Sequence, residues 1–297
     1  MLRIATRKSA LALWQAERIK SLLAEPAELV PMSTEGDRIP DRSLAEAGGK
    51  GLFVKELEQA LFEGRADLAV HSAKDVPFAL PERLSLCAFP AREDARDALV
   101  APAAKTFARL PRGARVGTSS LRRAVQLRAE RPDLEIVPLR GNVPTRVARS
   151  EGLDAVVLAL AGLRRLGLAD KATEILPVEL SLPAAGQGAL AVEVVRGSRG
   201  EMAASPLDDA ATSRCVRAER AVLARLAGGC TLPIAAYAVQ EGQLLWLRAV
   251  LGGPDGRGGV TVLRAEARGG DPDQLGRAVA EALLEKGGVA LLAAAKA

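Results

Sequence analysis

Four times in its first half, the chain runs from a short apolar strand through a polar, charged turn into the start of a helix. Units of this kind build α/β folds, in which parallel strands end at one edge of a sheet. Short apolar strands up to Val194 continue the alternation. This part of the chain is therefore predicted to form α/β units with mainly parallel sheets. The four turns are Thr6 to Ser9, His71 to Pro77, Gly117 to Arg123 and Arg140 to Arg146.

The third turn, Gly117 to Arg123, places two arginines where helix physics disfavours them. Thr118 and Ser120 are N-cap residue types, so Arg122 and Arg123 fall in the first turn of the following helix. That turn already carries about half a positive charge and several unpaired N–H groups. Arginines there lower the stability of the helix unless an anion lies nearby. The turn therefore indicates an anion site.

The fourth turn has the same character, because Asn142 is an N-cap type and Pro144 suits a first helical turn. In open parallel sheets, ligands bind at the edge where strands end, so the turns are predicted to form a joint anion site. Any one of these basic residues could instead be solvated surface, but the pattern is shared by four turns. The basic residues are Arg7, Lys8, Lys74, Arg122, Arg123, Arg140 and Arg146.

Arginine carries most of the positive charge. The 297 residues include 32 Arg and 9 Lys, and the net charge is +5. The planar guanidinium suits bidentate binding of carboxylate or phosphate. Nucleic acid is a poor candidate partner, because aromatic residues make up only 3% of the chain and the arginines lie on separate turns. No signal peptide or membrane-length apolar run is visible, so we expect a cytoplasmic protein without a membrane partner.

The pattern changes after Pro206. A helix is predicted from about Asp208 to Ala227, followed by three strand-type segments with glycine-rich turns between them. A last helix is predicted at about 273–286. This order indicates a smaller α+β domain with an antiparallel sheet.

Two residues carry candidate chemistry. Asp75 lies among the cationic turns, where it would stay ionised and could stabilise a cation; alternatively, it forms a solvated pair with Lys74. Cys230 follows two glycines on a loop and could reach into a cleft or be inert. His71 suits a packed strand end better than a catalyst. The spacing of the three cysteines and this single histidine fits no metal site, so none is predicted.

Eight motifs span nearly the whole chain: ATRKSALALWQ (5–15), GGKGLFVKELE (48–58), HSAKDVP (71–77), GTSSLRR (117–123), RGNVPTR (140–146), LAGLRRLGL (160–168), LPAAGQGAL (182–190) and GGCTLPI (228–234). In this order they resemble the porphobilinogen deaminase (hydroxymethylbilane synthase) family. Small departures occur at Ala10, Ala73 and Pro144, and none removes a charged or covalent group.

The resemblance implies a transferase of tetrapyrrole (porphyrin and haem) biosynthesis. Such an enzyme condenses four porphobilinogen molecules head to tail, releasing ammonia each time, to give hydroxymethylbilane. It also implies a dipyrromethane cofactor held by a thioether to Cys230, with Asp75 as the catalytic aspartate. Other residues implied to bind cofactor or substrate are Arg7, Ser9, Lys74, Thr118, Ser120, Arg122, Arg123, Arg140, Gly141, Asn142, Arg146, Arg165 and Gln187.

The resemblance further implies three domains, of which the first two are similar to type II periplasmic binding proteins. Small-molecule porphobilinogen is the expected partner, and the expected state is a monomer. An alternative function is a non-catalytic anion-binding module on the same two-domain fold, which would need neither Asp75 nor Cys230. The expected domains are 1–92 with 189–206, then 96–183, then 208–297, with crossings near 91–97 and 182–188.

Overall fold

Short apolar strands build three sheets in the computed structural model, which describes residues 1–34, 54–226 and 232–294. Two sheets have five strands each and the third has three. The strands are β1 (Leu2–Arg7), β2 (Ala27–Met32), β3 (Leu68–Ser72), β4 (Leu84–Ala88), β5 (Asp97–Val100), β6 (Arg115–Gly117), β7 (Glu135–Val137), β8 (Ala155–Ala159), β9 (Glu174–Ile175), β10 (Leu190–Val195), β11 (Ile234–Glu241), β12 (Leu244–Pro254) and β13 (Val260–Gly269).

The two five-stranded sheets share one pattern, with the orders β2-β1-β3-β10-β4 and β7-β6-β8-β5-β9. In each sheet the first three strands are parallel, and the fourth is antiparallel to both neighbours. That fourth strand, β10 or β5, enters after the chain has crossed from the other sheet. The predicted fold class is confirmed, but the sheets are mixed rather than mainly parallel because each crossing strand runs in the reverse direction.

Helices follow the strands at nearly the predicted positions. The apolar spacing of Phe53, Leu57 and Leu61 predicts a helix from Phe53 to Glu63 that ends at Gly64 in a C′ position. The structure describes this helix as Lys55–Phe62, and Phe53 lies outside the described residues. Gly64, after that helix, has a φ of +65°, which is the predicted left-handed C′ conformation. The α-helices are α1 (Ala10–Leu22), α2 (Lys55–Phe62), α3 (Leu121–Glu130), α4 (Val143–Ala148), α5 (Leu160–Arg165), α6 (Arg199–Ala204), α7 (Ala210–Arg225), α8 (Pro272–Leu283) and α9 (Val289–Ala294).

The third sheet is antiparallel throughout, in the order β11-β12-β13. Helices α7 and α8 pack against it, and Val222, Leu247 and Leu283 are fully buried in the shared core. Burial of one such leucine contributes about 1.5 to 3 kcal/mol. The predicted smaller α+β unit is therefore present.

The chain passes from the first sheet to the second between β4 and β5, and returns between β9 and β10. The two linking segments, 89–96 and 176–189, lie side by side, as Glu93 N donates to Gly188 O at 3.2 Å. The domain boundaries themselves stay a prediction. Across the described ranges, no helix is long and apolar enough to cross a membrane.

Candidate anion-binding site at the sheet edges

Three of the four turns are closed by N-cap side chains. Ser9, Ser120 and Asn142 each accept a hydrogen bond from the backbone N–H three residues later. The turns of the second sheet are also tied together, because Ser119 Oγ donates to Leu139 O and accepts from Leu139 N, both at 2.9 Å. The helix starts predicted from Ser120 and Asn142 are thus confirmed, and Ser9 caps α1 in the same way.

Two adjoining pockets lie where these turns meet. The first is lined by Arg7, Ser9 and Asp75, together with His71. The second is lined by four of the predicted basic residues. Leu11, Gln15 and Ser72 line both pockets, so the two form one continuous depression between the first and second sheets. The basic residues of the second pocket are Lys74, Arg123, Arg146 and Arg165.

An internal carboxylate lies beneath the N-terminus of α3. Asp97 is fully buried; its Oδ2 accepts from Arg122 Nη1 at 2.8 Å, and its Oδ1 accepts from Arg123 Nη2 at 2.7 Å. Burial alone would raise the pKa of Asp97, but the charges and hydrogen bonds of both arginines outweigh burial and hold that pKa well below its usual range. The anion required by the arginines of this turn is therefore supplied by the chain itself.

The two arginines differ in what they leave for a ligand. Arg122 is engaged through both Nη atoms, because Nη2 donates to Asp97 Oδ1 at 3.3 Å and Nη1 also donates to Leu182 O at 2.7 Å, and it does not line either pocket. Arg123 donates through Nη1 to Val157 O at 3.1 Å, while its buried Nε has no hydrogen-bond partner among the described residues. Because Arg123 lines the second pocket, its Nε is a donor suited to a ligand carboxylate.

Gln187 and Lys74 extend the hydrogen-bond network of Asp97 towards Asp75, the residue that follows Lys74 in the chain. Lys74 Nζ donates to Gln187 Oε1 at 3.3 Å, and Gln187 Nε2 donates to Asp97 Oδ1 at 2.8 Å. Burial lowers the pKa of Lys74 to about 8; the charge of Asp75 opposes this shift, and the charge of Arg123 adds to it. The lysine is therefore poised near neutral pH in a strongly charged environment.

Two further arginines form the rest of the second pocket wall. Arg165 Nη2 donates to Gly188 O at 2.6 Å, the guanidinium lies over the Trp14 ring at 5.7 Å, and burial lowers its pKa to about 10. Arg146 Nε donates to Gly141 O at 2.7 Å. Burial lowers the pKa of Arg146, and the charge of Arg123 lowers it further. Several cations are thus held close together, an arrangement that stabilises a polyanion.

The remaining predicted residues surround the pockets without lining them. Thr118 Oγ1 accepts from Ser120 N at 3.1 Å inside the third turn, and Gly141 has a φ of +104° that favours glycine. Cys230 lies outside the described residues. The predicted residues that do not line either pocket are Lys8, Thr118, Ser120, Arg122, Arg140, Gly141, Asn142 and Gln187.

Sequence reasoning missed Asp97, Gln15 and Ser181. Ser181 Oγ donates to Asp97 Oδ2 at 2.7 Å, and Gln15 Nε2 donates to Ser72 Oγ at 2.8 Å. The available signal was an aspartate at the start of an otherwise apolar strand, since a charge in that position is costly unless it is paired.

Comparisons with known proteins match nearly the whole chain. A family model described as porphobilinogen deaminase, dipyromethane cofactor binding domain, matches residues 2–203, and one described as porphobilinogen deaminase, C-terminal domain, matches residues 213–285. The chain is similar to the porphobilinogen deaminase of Syntrophotalea carbinolica, at 50% identity over 301 residues that cover 99% of this chain and 95% of that protein.

Distant likenesses to solved structures are also found. Protein PG110 from Staphylococcus aureus matches at 13% identity with a TM-score of 0.43, over 74% of this chain and 91% of that chain. The methionine-binding protein MetQ matches at 14% identity with a TM-score of 0.42, over 69% of this chain and 89% of that chain. TM-scores of this size indicate only a remote likeness, and the fold assignment stands on the strand orders described above.

Proposed function

Because the chain belongs to the porphobilinogen deaminase family, we propose that Asp75 is its catalytic carboxylate, that the basic residues of the two pockets bind carboxylates, and that Cys230 is the covalent attachment point. The enzyme condenses four porphobilinogen molecules head to tail to give hydroxymethylbilane, in tetrapyrrole biosynthesis. Family membership decides against the alternative of a non-catalytic anion-binding module.

Each condensation joins the aminomethyl carbon of one pyrrole unit to the free ring carbon of the next. The bond from that methylene carbon to nitrogen breaks, a carbon–carbon bond forms, and the amine leaves as ammonia with the hydrogen displaced from the ring. Loss of ammonia leaves an electron-poor methylene-pyrrole cation. A fixed carboxylate near that carbon stabilises the developing charge, which is the role we assign to Asp75 in the first pocket.

The donors around the second pocket fit a dipyrromethane cofactor. Its pyrrole rings carry carboxylates, and the buried Nε of Arg123 has no hydrogen-bond partner among the described residues. Arg146 and Arg165 face the same space with fixed guanidinium groups. When bound, the cofactor supplies the free pyrrole end on which the product is assembled. Arg123, Arg146, Arg165 and Lys74 would hold its carboxylates, and Gln187 would orient Lys74.

The observation that carries this proposal is the juxtaposition of one carboxylate with a cationic wall. Asp75 lines the first pocket, and its neighbour Lys74 lines the adjoining one, so a single turn supplies both kinds of charge. The basic residues bind the carboxylates of the polyanionic pyrrole chain, while the carboxylate of Asp75 stabilises the cation that forms during the reaction. We propose that the depression formed by the two pockets is the active site.

Intact-mass measurement of the purified protein under denaturing conditions tests the attachment. We expect added mass equal to two condensed porphobilinogen units, localised to the peptide that contains Cys230. Cys230→Ser should lose the added mass, whereas Cys87→Ser, in a strand of the first sheet, should keep it. Unmodified Cys230 in protein that turns over would overturn the assignment. Cytoplasmic location and a monomeric state stay predictions, which cell fractionation and sedimentation can test.

A further inference from the structure

One arginine reaches from the smaller α+β unit, called the third unit (α7, β11 to β13, α8 and α9), to the segment that follows Asp75. Arg220, on α7, donates through Nη1 to Val76 O at 3.2 Å, and through Nη2 to Pro77 O at 2.6 Å and to Phe78 O at 3.3 Å. Three consecutive carbonyl groups thus accept from a single guanidinium. A planar fork with several fixed donors suits this task in a way that a lysine ammonium does not.

The segment needs such support because it leaves regular structure. The short 3₁₀ turn Ala73–Asp75 ends at Val76, which adopts an extended conformation with φ −78° and ψ 129°. Pro77 disfavours a helical conformation at the residue before it and has no N–H of its own. The carbonyl groups of Val76, Pro77 and Phe78 therefore lie outside any β-sheet. Arg220 donates the hydrogen bonds that they accept.

The other side of the Asp75 turn is fixed by the segment that returns from the second sheet. Ala73 N donates to Ala189 O at 3.0 Å, and Lys74 Nζ reaches Gln187. Gly186 has a φ of +73°, and a Cβ there would lie 3.0 Å from Ala73, so the two backbones are in close contact. Asp75 is thus held between the returning segment before it and the third unit after it.

Arg220 is set apart from its neighbours on α7. Arg217, one turn earlier, pairs with Asp273. Arg214, two turns earlier, donates to Gln243 O and Gly270 O. Both therefore act within the third unit. Burial lowers the pKa of Arg220, and the charge of buried Glu193 opposes this shift. Arg220 is half-buried, and a guanidinium that is partly removed from water is costly unless its donors are satisfied. The three carbonyl contacts offset that cost.

We propose that Arg220 is a positioning residue that holds the Asp75 turn against the third unit and so fixes where the Asp75 carboxylate lies in the active site. The inference rests on the proposed catalytic role of Asp75. Displacement of a catalytic group by about 1 Å can lower a rate by about a hundredfold. Loss of the clamp should therefore reduce turnover without removing any group that binds substrate.

The test compares Arg220→Gln with Arg217→Gln, a matched control on the same helix that removes a surface ion pair of the third unit. The protein is the full chain, with its cofactor loading checked by intact mass. We expect Arg220→Gln to lower kcat by about tenfold to a hundredfold, with KM within about twofold, and Arg217→Gln to leave both nearly unchanged. Equal kcat in the two variants would overturn the proposal.

A double-mutant cycle separates positioning from general destabilisation. If Arg220 acts through Asp75, Arg220→Gln should lower kcat by no more than about twofold in an Asp75→Asn background. A full, additive loss in that background would show that Arg220 acts elsewhere. If Arg220→Gln does not fold, Arg220→Lys keeps the charge but loses the fork and should still lose kcat; wild-type kcat in Arg220→Lys would equally overturn the proposal. Normal turnover in Asp75→Asn alone would instead reject the proposed function.

Discussion

The carboxylate of Asp97 accepts a hydrogen bond from Arg123 Nη2 at 2.7 Å, beneath the N-terminus of α3. Arginines in the first turn of a helix interact unfavourably with the helix dipole. Asp97 supplies the compensating charge from the start of β5, the strand that follows the crossing between the sheets. The contact therefore links β5, the N-terminus of α3 and the wall of the second pocket. It compensates the charge of both arginines, and Arg123 also lines the second pocket.

Asp97→Asn should destabilise the fold strongly. It leaves Arg122 and Arg123 buried without a counter-charge, and breaking a buried ion pair on one side typically costs about 3 to 5 kcal/mol. Ser181→Ala is the matched control, because it removes one hydrogen bond to Asp97 at a cost of about 1 kcal/mol. Denaturant unfolding at neutral pH measures both. A loss no larger in Asp97→Asn than in Ser181→Ala would contradict the interpretation.

The same contact predicts acid sensitivity. The pKa of Asp97 is lower in the folded protein than in the unfolded chain, so its contribution to stability is present above the unfolded value of about 4 and is lost as pH falls toward the folded value. The free energy of unfolding should therefore fall more steeply below pH 4 in the wild type than in Asp97→Asn. Parallel curves for the two proteins would assign the acid sensitivity to other groups.

Local sequence predicted the strand–turn–helix units because their signals are local. Ser120 and Asn142 cap helices as their residue types indicate, and Gly64 ends α2 in the predicted conformation. Local sequence could not show that the anion near Arg122 is a residue of the chain itself. Asp97 lies 25 residues away, and the two side chains come together only in the folded second sheet. Strands β2 and β9 were not predicted: Glu28 and Pro31 interrupt the apolar pattern of β2, and two residues are too few for β9 to show a periodicity.

The site was predicted in outline for the same reason. Residues on the turns, such as Arg7 and Asp75, meet in one pocket because strands that end at one edge bring their turns together. The contact from Arg220 to Pro77 spans 143 residues and depends on how the third unit docks. No local pattern in the sequence encodes that docking.

Arg123→Lys should impair the enzyme more than Arg140→Lys. Arg123 lines the second pocket and holds Asp97, whereas Arg140 lines neither pocket. Lysine cannot replace the separate donors that Arg123 directs at Asp97 and Val157 O and through Nε. Loss of such hydrogen bonds to charged partners costs about 2 to 4 kcal/mol, so kcat/KM should fall about thirtyfold to a thousandfold in Arg123→Lys. Arg140→Lys keeps its charge and should lose less than about tenfold. Full activity in both loaded variants would show that these residues act only as a diffuse field.

Lys74 should give the enzyme a pH limit near 8. Its pKa is lowered to about 8, chiefly by burial, so its positive charge is lost as pH rises through that value. Binding of carboxylates should weaken accordingly, and kcat/KM for porphobilinogen should fall above pH 8. In Lys74→Arg the charge persists, so this limb of the pH profile should move to higher pH. Identical profiles from pH 6.5 to 9.5 in the two enzymes would remove Lys74 as its source.

Substitution of Asp75 should impair the chemical step while substrate binding persists. The aspartate lies in a half-exposed turn and fills no core space, so its neutral isostere should fold with a nearly unchanged Tm. Binding of an anionic pyrrole chain depends on the arginines and should persist. Asp75→Asn should therefore lower kcat by at least about a hundredfold, which corresponds to about 2.7 kcal/mol of transition-state stabilisation.

Asp75→Glu is the matched variant, because it keeps the charge and displaces it by about one methylene, so it should retain more activity than Asp75→Asn. Each variant is to be compared at equal cofactor loading, measured by intact mass, since incomplete loading would lower turnover for another reason. The order wild type, then Glu, then Asn in kcat, with similar Tm values, is the signature of a charge that acts on the reacting carbon. A loaded Asp75→Asn enzyme with near wild-type kcat would place the cation-stabilising group elsewhere in the depression.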